Sequence, residues 1–385
     1  MKTVDRRRFQ VLAQVLLLLC GVFCWHRNAC GQTDSPGDIM VVGPNSYTQS
    51  DGILIAGTVG IYSVPEYLKG GGGLLQEATF TITGGILECS SMEVQGDYYQ
   101  TGGTNCVSGN LVLDGQFAFF HSTGFLCASN LDSEAAFPQN VGGTVVITNE
   151  LRLDEYDSWG PYIGSGDLTV SNITLTSGTS FSFAGNSLNQ SGILSIEDAQ
   201  LSFSGLGAYH LGSLQLNSGT NSVIIFSPGQ CRLHLAESSG MAWTNGAVLN
   251  IQNWSGSLYG GGPQQIIFGS NASALTPQQL SQIQFQNPAG LASGNYSARI
   301  LATGEIVPDT GAPLPLRINL LDFNNGAMHL SVGGDIGRSY AIEVSTDLWH
   351  WNTWTDQLNA VGTMSFDDYN VTNSPQRFYR ARLMP

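Results

Sequence analysis

This 385-residue sequence predicts an all-β chain: a repeat β-solenoid (β-helix-like) followed by a small β-sandwich. Three observations carry that reading. Charged residues make up 11% of the chain, against about 25% in an ordinary soluble domain, and it has 48 glycines but only two lysines, Lys2 and Lys69, so a helix-forming composition is missing. An aromatic residue followed five positions later by glycine recurs through the first half, and a fixed recurrence is the mark of a repeat architecture. Short alternating segments then crowd together after Leu316. A hydrophobic fraction of 42% argues against disorder. A net charge of −15 with so few basic side chains excludes a nucleic-acid partner, because phosphate must be neutralised.

Residues 1–31 read as an export signal. Arg6, Arg7 and Arg8 precede a mostly apolar stretch from Val11 to Trp25, and Ala29-Cys30-Gly31 suits cleavage before Gln32. The stretch is short of the roughly twenty residues that span a bilayer, so no membrane span is expected in the mature chain. Arg6-Arg7-Arg8-Phe9 resembles the twin-arginine pattern, and the leucine run suits the general secretory route equally. Cleavage removes five positive charges and one negative, which leaves −19. The mature protein is expected to be secreted or held at the cell surface.

The solenoid is expected over 32–308. Its repeat positions are Tyr47 and Gly52, Phe80 and Gly85, Tyr98 and Gly103, Phe119 and Gly124, and Phe137 and Gly142. The first interval is the longest and suggests a degenerate coil around Ile61 to Gln76. A unit of this length cannot bury its own apolar face but can do so against a copy of itself. Stacking then predicts an aromatic ladder of Tyr98, Phe119 and Phe137, a polar ladder of Gln100, His121 and Gln139, and a corner glycine with φ > 0. From Leu168 to Ile251 alternating segments continue without the glycine signature. Over 276–285 a helix is expected: Thr276 caps it, Pro277 suits its first position and Gln279 completes a capping box.

Trp243-Thr-Asn-Gly-Ala-Val-Leu-Asn-Ile-Gln-Asn-Trp254, Ile266-Ile-Phe-Gly269, Leu275-Thr-Pro-Gln-Gln-Leu280 and Gly304-Glu-Ile-Val-Pro308 together carry a resemblance. They resemble the terminal part of exported autotransporter-type β-strand repeat proteins of Verrucomicrobia and related bacteria, which often precede a C-terminal sorting tag. The resemblance reaches back to Tyr47 and implies a surface or secreted repeat protein, with no catalytic residues to carry over. No apolar span with a basic tail follows here, which departs from that pattern.

Pro313 and Pro315 make 309–316 a stiff linker. Beyond it, 317–385 is expected to form a small β-sandwich from strands at Arg317–Leu321, Met328–Val332, Tyr340–Val344, Thr363–Phe366 and Phe378–Leu383. Tyr340-Ala-Ile-Glu-Val-Ser-Thr-Asp-Leu-Trp-His-Trp351 and Arg377-Phe-Tyr-Arg380 resemble a module at the C-terminus of many exported verrucomicrobial proteins. Trp349, Trp351 and Trp354 are read as core residues, with one at the edge; a ligand-contacting sugar platform is the alternative use.

Catalytic, metal and cofactor chemistry find no pattern. Between Gln32 and Gln230 the only basic residues are Lys69 and Arg152, which suits no enzyme that cleaves acidic polysaccharide. Asp154, Glu155 and Asp157 read as loop solvation, with calcium as the alternative. The five histidines after the signal show no zinc spacing. Cys106 and Cys127 fall on equivalent repeat positions within disulfide reach, although free buried thiols are the expectation for them. The function expected is non-enzymatic, structural or adhesive. Its partners would be surface or extracellular polysaccharide or other surface proteins. Carbohydrate binding or a polysaccharide-cleaving β-helix are the alternatives.

Overall fold

The computed structural model describes residues 33–34, 38–42, 45–62, 64–67, 73–76, 78–114, 119–133, 140–141, 143–154, 162–163, 166–204, 207–313, 316–335, 337–360, 363–373 and 375–384. The export signal lies outside these residues, as do Phe137, Gln139, Gly142, Glu155 and Asp157.

The fold is a β-solenoid. Strands stack coil on coil, parallel except for the last two of the second sheet, into two sheets of 14 and 13 strands among the described residues, around one continuous apolar core. The first sheet contains the long strands Ile53–Tyr62, Ile86–Gln95, Thr104–Leu113, Phe125–Ser133, Thr144–Leu153 and Asp167–Leu175. The second contains shorter ones such as Thr79–Ile82, Asp97–Gln100, Ser180–Phe183 and Gln200–Phe203. Alternation puts Leu111 and Leu113 of one sheet and Phe181 and Phe183 of the other inside, all at most 1% exposed. Each coil satisfies its backbone against the coils on either side, so no coil is stable alone.

The repeat behaves as expected for three coils and then slips. Tyr47 lies opposite Phe80 and Phe80 opposite Tyr98, with stacked rings 4.9 and 6.1 Å apart. In the next coil Phe120, not Phe119, faces Tyr98, and Ser122, not His121, faces Gln100. The corner from Ser122 to Phe125 is one residue shorter than that from Gln100 to Thr104. A one-residue shift sends each side chain to the opposite face. The expected ladder through Gln100 and His121 is therefore not formed. Gln100 points inward and is fully buried; its Nε2 donates to the carbonyls of Gly103 and Phe125, and Ser122 Oγ donates to its Oε1 at 2.7 Å.

Gly52, Gly85 and Gly103 take φ of 70°, 72° and 69°. Gly124 does not share that conformation, and is required for a different reason: a Cβ there would lie 2.7 Å from the Gly103 carbonyl oxygen. In the following coil the positive φ belongs to Gly143. Among the described residues, no coil lies between that of Tyr47 and that of Phe80. Val64–Tyr67 and Gly73–Gln76 form an antiparallel hairpin outside both long sheets, and Tyr47 pairs directly with Phe80.

The expected helix over 276–285 is shorter, Pro277–Ser281, with the Thr276–Gln279 capping box complete. Its anticipated second half is the strand Ile283–Gln286, because Ile283 and Phe285 continue the inward column of Leu249 and Ile251. The chain then reverses: Asn295–Ile300 and Ile306–Pro308 add antiparallel strands that close this end. Cys106 and Cys127 stand opposite one another, with Cα atoms 4.7 Å apart, and are joined as a disulfide rather than left as thiols; Cys89 and Cys231 are buried and free.

After the linker, two antiparallel three-stranded sheets pack face to face. One joins Arg317–Asn324, Ala327–Gly333 and Thr363–Asp368; the other joins Asn352–Leu358, Ser339–Ser345 and Phe378–Leu383. The strand Asn352–Leu358 was not anticipated, since its exposed polar residues hide the alternation. Leu330, Val332, Tyr340, Ile342, Met364 and Phe366 form a core separate from that of the solenoid.

Candidate ligand-binding face of the C-terminal module

The sequence reading treated the three tryptophans as a group, but the fold separates them. Trp354 packs into the module core, its ring 6.3 Å from Phe366 and 6.4 Å from Tyr379. Trp351 is half-buried at the sheet edge, with the Arg380 guanidinium 4.2 Å from its ring centroid. Trp349 is 87% exposed, so the core reading fails for it. The reason is local: Trp349 sits in the turn between Ser339–Ser345 and Asn352–Leu358, beyond the reach of either sheet.

That turn is tightly organised. Asp347 Oδ1 accepts the backbone N–H groups of Trp349 and His350 at 2.9 and 2.8 Å, and Oδ2 pairs with His350 Nδ1 at 2.7 Å. Ser345 Oγ accepts from the N–H groups of Asp347 and Leu348, and Trp351 Nε1 donates to the Leu348 carbonyl. Leu348 adopts φ of 67°, a strained conformation for a branched residue that these bonds hold in place. Bonding from His350 first, then from the two backbone N–H groups, keeps the Asp347 carboxyl well below its ordinary range, and Asp347 in turn raises His350. The indole of Trp349 is thus held in solvent on a fixed support.

Beside the turn lies a charged row. On Phe378–Leu383, Arg380 and Arg382 alternate outward, and Arg380 faces Glu343 across the sheet. Glu343 Oε2 accepts from Arg380 Nε at 2.6 Å and Oε1 from Arg382 Nε at 3.1 Å, which holds its carboxyl below the usual range. The arginine side chains remain 49% and 52% exposed. Arg377, by contrast, is committed to the fully buried Asp368, which also accepts from Tyr379. The tryptophan spacing pointed towards this region, but neither the arginine pair nor the Asp347 turn was singled out. The signal available was charge bias: five of the nine basic residues after position 31 lie in 317–385.

Two other places gather polar side chains. A cleft of about 1140 Å³ opens between the end of the solenoid and the module, around Arg299, Asp309, Asp335 and Arg338. Arg299 is committed there, donating to the Ala312 carbonyl and lying 3.7 Å from Asp335. On the solenoid, His210 and His234 stack 5.2 Å apart, a pairing made by coil register and invisible in their spacing. Asp154 pairs with Arg152 at 2.7 Å, and among the described residues no group of three or more candidate ligands could hold a metal ion. No helix among the described residues is long and apolar enough to cross a membrane. No protein family, curated protein or solved structure matches this chain, so the site rests on its own geometry.

Proposed function

We propose that this chain is an exported, non-enzymatic repeat protein, structural or adhesive at the cell surface or in the extracellular space. In this reading the solenoid is a rigid spacer and the C-terminal module carries the contact surface. The observation that carries it is Trp349, 87% exposed on a turn held by Asp347 and Ser345. An exposed indole whose support is ordered in advance gains contact area without losing much conformational freedom on binding. Export is supported by Arg6–Arg8 and the apolar stretch behind them, and by a cross-coil disulfide, which suits an oxidising compartment.

Carbohydrate binding is the specific form of contact this surface favours, since a flat indole stacks on the C–H face of a sugar ring. The mature chain, residues 32–385, applied to a glycan array is the test. Trp349→Ala is expected to weaken glycan retention while changing folding stability by less than about 0.5 kcal/mol, because the side chain is in solvent. Retention unaffected by that substitution would remove the basis for the assignment.

A further inference from the structure

The distribution of charge divides the molecule sharply. Residues 32–316 contain four basic and 21 acidic side chains, whereas 317–385 contain five basic and seven acidic. Three of those five fall within Arg377–Arg382. Asp368 occupies Arg377, but one carboxylate, that of Glu343, serves both Arg380 and Arg382. It engages each through Nε, and among the described residues neither arginine is paired with any carboxylate besides that of Glu343. The row of Arg380, Arg382 and Glu343 therefore carries one positive charge more than negative beside Trp351, while the adjoining turn carries the Asp347 carboxylate.

We propose that the face formed by Trp349, Trp351, Arg380 and Arg382 binds anionic polysaccharide, a chain of carboxylated or sulfated sugars, in preference to neutral glycan. The proposal rests on the carbohydrate-binding reading above and narrows its ligand. The chemistry discriminates in two ways. A carboxylate or sulfate replaces water on the guanidinium groups with charge-assisted hydrogen bonds, for which arginine's planar fork is suited. A neutral sugar offers the same groups only uncharged hydroxyl acceptors, whose weaker hydrogen bonds offset less of the guanidinium desolvation. Stacking on Trp349 supplies the sugar-ring contact, while the arginines select for the acid. The acidic solenoid repels the same polymer, so a bound chain is confined to the module end.

The experiment uses the full mature chain and two forms of one backbone, polygalacturonate and its fully methyl-esterified neutral counterpart, alongside alginate, chondroitin sulfate and neutral xylan. Binding to at least one acidic polymer should exceed binding to the neutral ones by about tenfold, the worth of one charge-assisted hydrogen bond. It should also weaken from low salt to about 0.15 M, where the Debye length is about 8 Å. Arg382→Gln should erase most of the difference and Arg382→Lys retain part of it. Trp349→Ala should weaken binding with no change in the melt, which separates lost contact from lost folding. Equal binding of acidic and neutral polymers would overturn the anionic proposal and leave the carbohydrate reading intact. Binding to none of the polymers by a folded chain would overturn both, and self-association through Trp349 would assign this face to protein contact instead.

Discussion

Asp347 orders the exposed turn with a single carboxylate, and its titration has a definite sign. His350 is raised above 6.5 by its bond to Asp347, so its contribution is complete below 6.5 and disappears as pH rises through the folded value. Asp347 is lowered from 3.8, so its contribution is present above 3.8 and disappears as pH falls through the folded value. The turn is therefore tightest between those limits. A proton NMR titration should place the His350 midpoint above 6.5, and Asp347→Asn should return it to about 6.5; a midpoint that ignores the substitution would remove the pairing. Glu305 shows the opposite case. It is 4% exposed, Oε2 accepts from the Gly261 N–H, and Oε1 has no partner. Burial raises its carboxyl above 4.5, so the unfolded chain loses that proton first and stability falls as pH rises through the window above 4.5. Glu305→Gln keeps the acceptor for Gly261 and should raise the melting temperature at neutral pH but not near pH 4. A variant that melts lower at neutral pH would show that the charge is needed.

Strands and corners show how the coils are held in register. The Thr104–Leu113 and Phe125–Ser133 strands face each other residue for residue until a bulge between Val107 and Asn110, and Cys106 and Cys127 sit before it. The disulfide closes 21 residues. Chain-entropy arguments assign a loop of that size about 3 kcal/mol. Replacing both cysteines by serine should lower the unfolding free energy by roughly that amount without changing the β content by circular dichroism. A loss close to zero would mean that neighbouring coils already restrict the unfolded chain. An outer row of asparagines runs across the bulges: Asn130 donates to its strand partner Asn110 at 2.8 Å, and Asn149, in the bulge of the next coil, donates to Asn130 at 2.6 Å.

At the scale of the molecule, the two apolar cores among the described residues imply two folding units. The module core of Leu330, Val332, Tyr340, Ile342, Met364 and Phe366, with Trp354 packed on it, uses residues from both of its sheets. Residues 316–385 expressed alone should melt cooperatively, although a core of this size gives only a few kcal/mol. Its tryptophan emission should be mixed, because Trp354 is in the core, Trp351 half-covered and Trp349 in solvent. Trp354→Phe should remove the blue component, and Trp349→Phe the red. A fragment without a transition would show that it needs the solenoid, to which Arg299 and Asp335 are the visible link.

Composition and local pattern were enough for the class of fold. Few charges, scarce lysine and alternating apolar residues at a repeating spacing have one good solution, which is to stack strands and bury the shared face. The cap at Thr276 was equally legible, since a capping box is made entirely of neighbours. Register was not, because it depends on corner length. One residue fewer between Ser122 and Phe125 paired Phe120 rather than Phe119 with Tyr98, and the pairing of Val64–Tyr67 with Gly73–Gln76 imitated a missing coil. The candidate site was half legible for the same reason. Trp349, Trp351 and Trp354 announce an aromatic cluster, but only the packing of two sheets decides which ring is core and which is left in water. Likewise, Arg380 and Arg382 meet Glu343 only because antiparallel pairing brings together residues 37 and 39 positions apart. Local rules act through adjacent bonds and short spacings; the site comes from contacts that the chain makes only once the sheets have closed.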